Sequence, residues 1–340
     1  MRKTLLWGAA FLAVTGIATM AALHFLKGKE GKEAFLFSKD KQWILSGENQ
    51  LFDITERAFD LQGLIVYKEG LERWIPLGGP QSKFTPNFVG PEVKTSISDD
   101  EYVIGVLAGT TATAYPLRVV AHHQVVNDGT QEQPVMVYFG NGSHTAAAFA
   151  VEEKGKNGSF GCTGFLYKNV DLLYDCATES LFMPLTGTFV SGSRLGNRLR
   201  ILPSAVVTLG QWRKLYPATR VMTGNTGIKA TRYPRRDILS EALSFKTAFK
   251  AAPEAEMPDA AAVIAIWQGW DGVLVPLAAA AGGRREASVT LDGKAYTVHF
   301  TDGKWGAYVT DERGELTSSV RSAYRICASI QPGSKVAEIK

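Results

Sequence analysis

Short apolar runs that alternate with Gly, Asn and Asp fill residues 103–182, and no other feature constrains the fold of this chain as much. Runs rich in Val, Tyr and Phe that end at turn-forming residues are typical of β-strands joined by hairpins. The stretch contains the segments VIGV, AYPLRVVAHHQVVND, PVMVYFGNGSHTAAAF and FGCTGFLYKNVDLLYDCATESLF. We therefore predict a mainly β protein with a few helices, an α+β fold.

Two helices are expected after this stretch. Apolar side chains at Leu209, Trp212 and Leu215 are three residues apart, the spacing of one helical face, and Pro217 follows them. A second helix is expected over residues 238–250, with Asp237 as its capping residue.

The composition is that of a globular protein and gives no sign of a nucleic-acid partner. Hydrophobic residues make up 45% of the chain and charged residues 21%, which is unlike a disordered protein. The 37 basic and 33 acidic residues leave a net charge of only +4. Since there is also no basic stripe with interleaved aromatic residues, we expect no binding to nucleic acid.

Residues 4–26 form an apolar run without a formal charge. At about 1.5 Å per residue in a helix, this run can cross a hydrocarbon core of about 30 Å. We predict a single-pass transmembrane helix that serves as an uncleaved signal-anchor, with the linker ending at residue 33. A cleaved signal peptide is the alternative, because small residues at Thr19 and Ala21 offer a cleavage site.

Two of the three cysteines, Cys162 and Cys176, flank an expected hairpin with its tip at Asn169. Pairing about that tip places the two cysteines opposite each other, where Cβ atoms approach to about 4.5–5.5 Å, near what a disulfide requires. We predict a structural disulfide between them, with free buried thiols or a redox-active pair as the alternatives. Because disulfides are typical of the periplasm, we expect the soluble part of the chain there, anchored in the inner membrane.

The segment AAPEAEMPD at residues 251–259 has the composition of a linker and divides the chain into a core of residues 34–250 and a smaller β-rich unit of residues 260–340. The smaller unit repeats part of the core. VIAI at 263–266 is followed by Pro276-Leu277 at the interval that separates VIGV from Pro116-Leu117. We predict two β-rich units related by an internal duplication, with chance similarity between strands as the alternative.

The residues able to do chemistry concentrate in the core. His123 and His144 are the candidate metal ligands, and they are weak ones, since transition metals prefer about three or four such ligands. His122 and His123, as neighbours on a strand, would point to opposite faces. Asp128 is a candidate to orient a histidine, while Asn127-Asp128-Gly129 equally suits a hairpin turn. We predict no resident cofactor, and the candidate catalytic residues are His123, Asp128, His144, Ser143 and Tyr115.

Several motifs in order resemble DUF3179, a bacterial family of unassigned function. They are VIGV-x(7)-AYPL ending in HHQVVND, FG-x-x-G-x-L-Y followed by LLYD-x-x-TESL, and WRKLYPATRV, and they cover about residues 59–233. Members of that family usually carry a Cys-x-x-Cys pair whose positions map to Gly140 and Ser143. The resemblance therefore implies that thiol or metal chemistry at this pair has been lost or rebuilt in this chain.

These features favour a membrane-anchored, periplasmic binding or assembly module, a subunit of an envelope complex with other envelope proteins as partners, and not an enzyme. The alternative is a metal-binding or redox-derived enzyme with a site near His123, Asp128 and His144.

Overall fold

A computed structural model describes most of the chain after residue 96 and short segments before it. Backbone alone is described for the strands at 24–27, 34–37, 42–45, 51–53 and 64–66. Side chains are described at residues 55–58, 88–90, 96–129, 133–151, 159–223, 233, 237–243, 257–269, 271–302 and 304–339.

The N-terminal strands form a small antiparallel sheet in sequence order, β1-β2-β3-β4, while β5 joins a later sheet. Residues 4–23 of the predicted membrane helix lie outside the described residues, and residues 24–26 belong to β1, which begins at His24. Among the described helices none is long and apolar enough to cross a membrane. The strands are β1 His24–Lys27, β2 Ala34–Phe37, β3 Gln42–Leu45, β4 Leu51–Asp53 and β5 Leu64–Val66.

The first half of the folded region is a hairpin, a short helix and a meander. Pro116 ends the hairpin and begins the helix, since its fixed φ suits a helical start and it has no amide to donate. The helix ends at Gln124, which has a φ of 63°. The elements are β6 Phe88–Val89, β7 Tyr102–Ala108, β8 Thr111–Pro116, α1 Leu117–His123, β9 Val125–Gly129, β10 Pro134–Gly140 and β11 Thr145–Ala150.

A five-stranded sheet is inserted before the first half is completed. Its order is β15-β14-β13-β12-β5, and buried aromatic residues such as Phe160 and Phe182 pack against the preceding strands. The elements of this region are β12 Phe160–Tyr167, β13 Val170–Asp175, β14 Leu181–Met183, β15 Thr188–Phe189, β16 Arg200–Ile201, β17 Ser204–Thr208, α2 Leu209–Leu215 and β18 Arg220–Met222.

Helix α2 confirms the expected helix at Leu209. The side chain of Thr208 accepts a hydrogen bond from the Gln211 amide and so caps the first turn. The helix expected over residues 238–250 is wrong in its described part. Only Ile238–Ser240 forms a 3-10 turn, and Asp237 makes no capping hydrogen bond.

The second half repeats the order of the first without the inserted sheet. A hairpin leads through a 3-10 turn, Leu277–Gly282, into a three-stranded meander and then a strand-helix-strand unit. The elements are β19 Ala262–Gln268, β20 Asp271–Pro276, β21 Glu286–Leu291, β22 Lys294–Phe300, β23 Ala307–Asp311, β24 Val320–Ala323, α3 Tyr324–Ile330 and β25 Lys335–Val336.

The two halves interlock through two large sheets. One sheet has the order β21-β22-β23-β17-β7-β8-β18-β6, and the other has the order β25-β20-β19-β24-β11-β10-β9, with β16 paired to β11. Each sheet thus joins the hairpin of one half to the meander of the other. The protein is mainly β with a few short helices. The boundary between the predicted domains at residues 251–259 stays a prediction.

The strand registers of the two halves correspond position by position. Val103 pairs with Pro116 as Val263 pairs with Pro276, and Phe139 pairs with Ala146 as Phe300 pairs with Ala307. Where the sheets join, Val206 pairs with Ala307 and Arg321 pairs with Ala146. The same correspondence extends to the two helices, α2 and α3, and it equates His144 with Trp305 and Val206 with Arg321.

The register predicted for the cysteines is wrong. The hairpin turns at Lys168 and Asn169, which both have positive φ, and an irregularity after Cys162 shifts the pairing further. As a result Cys162 faces Leu173 and not Cys176. The two cysteines are not joined by a disulfide in the structure. Burial raises the pKa of Cys176 to about 11, so its thiol stays protonated at neutral pH.

Candidate functional site

His123 is buried at the end of α1. Its Nε2 lies 2.6 Å from the hydroxyl oxygen of Tyr233, and its ring contacts that of His122 with centroids 5.1 Å apart. The His122 ring also contacts Tyr233. Because both histidines lie in the last turn of a helix, the prediction that they occupy opposite faces of a strand is wrong. Together these rings hold α1 against Tyr233.

Asp128 is buried on β9, and its observed partners are not histidines. Its Oδ2 accepts hydrogen bonds from the Tyr115 hydroxyl and from Nη2 of Arg220, each at 2.5 Å. The turn predicted at residues 127–129 is wrong, because these residues pair with β10 as a strand. Burial, the largest cause, and the nearby Asp128 carboxylate raise the pKa of Tyr115, which keeps its hydroxyl a donor. The structure therefore brings Tyr115 and Asp128 together, as a buried link between strands.

The loop from β10 to β11 carries Gly140, Ser143 and His144. Ser143 is fully buried, and its Oγ accepts a hydrogen bond from the Thr145 amide at 3.2 Å. A Cβ at Gly140 would lie 2.7 Å from this Oγ and would collide with the Tyr138 hydroxyl. Positions 140 and 143 are thus neighbours in space, and position 140 has no room for a side chain.

The Tyr138 hydroxyl belongs to a buried polar network beneath this loop. It donates to Oδ2 of Asp171 at 2.6 Å, and Nε2 of Gln124 donates to Oδ1 of the same carboxylate at 3.2 Å. Burial raises the pKa of Asp171 to about 6, although the hydrogen bond from Tyr138 opposes the shift. The network fixes Tyr138 where a side chain at Gly140 would otherwise project.

His144 is buried in a left-handed conformation with a φ of 49°. Its ring stacks on Phe139 with centroids 5.9 Å apart, and its carbonyl oxygen accepts a hydrogen bond from Nη1 of Arg321 at 3.0 Å. Burial, assisted by the positive charge of Arg321, lowers the pKa of His144 to about 4. The imidazole is therefore neutral at pH 7.

The loop from β22 to β23 is the counterpart of this loop in the second half. Its Asp302 accepts hydrogen bonds from the amides of Lys304, Trp305 and Gly306, and from the Tyr102 hydroxyl. The guanidinium carbon of Arg321 lies 5.9 Å from the centroid of the Trp305 ring. Both loops thus approach the same buried arginine.

Arg321 was missed as a candidate in the sequence. It lies on β24, between β11 and β19, and only 2% of its surface is exposed. No local sequence signal points to it, because only the strand registers equate Arg321 with the buried Val206 of the first half. A charged residue at a repeat position that holds a buried valine points to a site.

A cleft of about 400 Å³ opens near the first turn of α1. Within it, Arg118 donates to Glu101 at 2.6 Å and to the Tyr233 carbonyl at 2.7 Å, so its charge is already compensated. The lining residues are Asp100, Glu101, Tyr102, Leu117, Arg118, Asp237 and Ile238.

The contacts described above tie His123, Asp128 and His144 to three different sets of neighbours. Among the described residues, no group of three or more His, Cys, Asp or Glu side chains is arranged to hold a metal ion. What the arrangement provides chemically is a buried cation, Arg321, between two loops that carry a neutral imidazole and an indole.

These features define a mainly β protein of two interlocked halves, with its candidate site where the paired loops meet. The chain matches the family described as "Protein of unknown function (DUF3179)" over residues 82–328, which is more than half of its 340 residues. It therefore belongs to the DUF3179 family, which confirms the predicted resemblance and extends it across the second half. No curated protein and no solved structure matches the chain. The mapping of the family's cysteine pair to Gly140 and Ser143 stays a prediction.

Gly140→Ala is expected to lower the free energy of unfolding by about 2 kcal/mol, because the new methyl group meets the fully buried Tyr138 side chain. In a Tyr138→Phe background the same change is expected to cost about 1 kcal/mol less, since the colliding oxygen is gone. Urea unfolding of the four proteins measures this coupling. Equal costs of Gly140→Ala in both backgrounds would show that Tyr138 does not fill the space.

Proposed function

We propose that this protein is a non-catalytic binding or assembly module in a complex of envelope proteins. The observation that carries the proposal is the Tyr138 hydroxyl, which occupies the space into which a side chain at Gly140 would project. Chemistry at the family's cysteine pair would require a thiol at position 140. In this chain the hydrogen-bonded hydroxyl of Tyr138 fills the space that such a side chain would need.

The surroundings of the other candidate residues support the same proposal. His123 is bonded to Tyr233, and Asp128 is bonded to Tyr115 and Arg220, so each contributes to packing between elements. The alternative, a metal-binding or redox-derived enzyme near His123, Asp128 and His144, would need these side chains to converge on one ligand.

The correspondence of the strand registers supports an internal duplication as the origin of the fold. Position 128, which holds an aspartate in β9, corresponds to Val289 in β21, and His144 corresponds to Trp305. We infer that the two halves share their backbone pairing and not their polar residues. Two halves that have the same strand pairing but different polar side chains are suited to a binding scaffold.

Attachment to the membrane is the second part of the proposal. Residues 4–23 precede β1 and are all uncharged. About 20 residues in a helix span about 30 Å, the thickness of a hydrocarbon core. We propose that this segment is a single-pass signal-anchor in the inner membrane and that the two halves lie in the periplasm.

Fusions at the C-terminus test this topology. Alkaline phosphatase fused after the last residue is expected to be active, because it folds with its disulfides in the periplasm, and a green fluorescent fusion exported in the same way is expected to stay dark. Both fusions should sediment with the membrane fraction. A bright green fusion with an inactive phosphatase would place the folded part in the cytoplasm and contradict the proposal.

Purification of the full chain in mild detergent without an affinity tag tests the binding role. We expect defined envelope proteins to co-purify in constant proportion, and a monomer without partners would contradict an assembly role. A transition metal present in stoichiometric amount in the same preparation would favour the enzymatic alternative.

A further inference from the structure

The guanidinium of Arg321 is buried with only part of its hydrogen-bonding capacity used. Nη1 donates to the His144 carbonyl, whereas Nε and Nη2 have no hydrogen-bond partner among the described residues. Burial lowers the pKa of Arg321 to about 10, so the side chain keeps its charge at neutral pH. A buried charge with unpaired donors is costly, and native proteins normally supply an acceptor for it.

The two unpaired nitrogens form one edge of the guanidinium. Nε and Nη2 point their hydrogens in parallel, and this fork matches the two oxygens of a carboxylate or of a similar oxyanion. Arg321 therefore presents a complete bidentate edge and not two unrelated donors.

Packing at position 321 does not require a positively charged side chain. Val206 is the corresponding residue of the first half, is also buried, and pairs with Ala307 as Arg321 pairs with Ala146. An apolar side chain satisfies packing at the equivalent position. The positive charge of Arg321 thus calls for an explanation other than packing.

The carboxylate of Asp302, which influences Arg321 electrostatically, cannot fill the fork without breaking its own bonds. Asp302 attracts Arg321 electrostatically, but its Oδ1 accepts three backbone amides and its Oδ2 accepts the Tyr102 hydroxyl and the Gly306 amide. These bonds lower the pKa of Asp302 and hold its carboxylate on its own loop. Among the residues that the structure describes, none supplies the acceptor that this fork requires.

We propose that Arg321 binds the carboxylate of a small organic acid whose apolar body packs against Trp305 and the stacked rings of His144 and Phe139. This inference rests on the proposed binding role and names its ligand class. The acidic neighbour Asp302 favours an anion of one negative charge over a doubly charged phosphate. Trp305 is only partly buried on a loop whose Asp302 and Lys304 are exposed, so in this proposal the ligand reaches Arg321 by displacing the indole.

Calorimetric titration of the purified full chain in mild detergent with sodium benzoate tests the proposal, with sodium phosphate and sodium chloride at matched ionic strength as comparisons. We expect saturable binding of one benzoate per chain and a rise in Tm of about 2–4 °C near saturation. Phosphate and chloride should give neither effect. Since no other protein is present, failure here leaves the co-purification result untouched.

Three variants locate the binding. Arg321→Met removes the fork and Arg321→Lys keeps the charge without the fork, so both should weaken benzoate binding at least tenfold. Arg118→Met removes a nearby arginine that is already paired and should leave benzoate binding unchanged. The absence of saturable binding, equal binding by wild type and Arg321→Lys, or binding of phosphate in place of benzoate would each overturn the proposal. If Arg321→Met does not fold, Arg321→Lys still decides the outcome.

Discussion

Gly105→Ala is expected to lower the free energy of unfolding by about 3 kcal/mol or more, because its methyl group would enter the ring of Trp212. A Cβ at Gly105 would lie 2.6 Å from Cζ3 of Trp212 and closer still to two other ring carbons. The indole ring has no free space into which it could shift, since it is fully buried and its Nε1 donates to the Thr219 hydroxyl at 2.9 Å. Small and large residues are thus matched across β7 and α2.

The second half of the protein supplies the control for this prediction. At the corresponding positions it has Ala265 and Cys327, which are both buried, so a larger residue on the strand accompanies a smaller one on the helix. In a Trp212→Cys background, Gly105→Ala is therefore expected to cost less than about 0.5 kcal/mol, although Trp212→Cys alone costs about 3–5 kcal/mol.

Urea unfolding of wild type, the two single variants and the double variant measures the coupling. Gly282→Ala is the matched control, because nothing lies within 4 Å of its Cβ position, and it should change stability by less than about 0.5 kcal/mol. If Gly105→Ala cost the same with and without Trp212, the packing of β7 against α2 would not be what requires glycine.

The pairing of small and large residues also explains what the sequence could predict. VIGV and VIAI are local apolar patterns with a proline at a fixed distance, and the strands at Val103 and Val263 indeed have the same register. The helix at Leu209 was predictable because its apolar face, its cap and its terminating proline are all local. In these two cases the local pattern was sufficient, whereas for the helix expected over residues 238–250 it was not.

Features that depend on contacts between distant segments were predicted wrongly from the sequence. Residues 127–129 look like a turn, but the Asn127 side chain donates to the Phe160 carbonyl at 3.0 Å and accepts from its amide at 2.8 Å, which holds them in a strand. The disulfide prediction assumed a regular hairpin, and the irregularity after Cys162 displaced the register. In each case a few long-range contacts, or two extra residues in one strand, override the local pattern.

The candidate site shows the same division. The sequence directed attention to the loop with Gly140, Ser143 and His144, because the resemblance predicts the family's cysteine pair at positions 140 and 143. It did not indicate Arg321, which lies among small polar residues and is buried only because β24 is an inner strand between β11 and β19. Sheet order, and not local sequence, decides whether such an arginine is exposed.

Asp171→Asn is expected to make stability depend steeply on pH between pH 4 and 6.5, a dependence that two opposing groups suppress in the wild type. Burial raises the pKa of Asp171 from 3.8 to about 6, and burial together with Arg321 lowers the pKa of His144 from 6.5 to about 4. Each shift corresponds to about 3 kcal/mol.

The two groups act with opposite signs. Folded protein binds the Asp171 proton more tightly than unfolded protein does, so the stability from Asp171 is present below pH 3.8 and is lost as the pH rises through about 6. Folded protein binds a proton on His144 less tightly, so that stability is present above pH 6.5 and is lost as the pH falls through about 4. The two terms nearly cancel over the shared window.

When one of the two groups is removed, the pH dependence of stability that the other group causes becomes measurable. Asp171→Asn keeps one acceptor oxygen for the Tyr138 hydroxyl, and its NH2 group can donate to the Gln124 side chain once that amide turns to present its oxygen. The free energy of unfolding of this variant is expected to fall by about 3 kcal/mol from pH 6.5 to pH 4 relative to wild type. His144→Asn, which suits the positive φ at this position, should show the reverse, a fall of about 3 kcal/mol relative to wild type as the pH rises from 4 to 6. Urea unfolding at half-unit pH steps measures both slopes. Parallel curves for wild type and Asp171→Asn would mean that the Asp171 carboxyl has the same proton affinity in the folded and unfolded chains, which would contradict a raised pKa for this group in the folded protein.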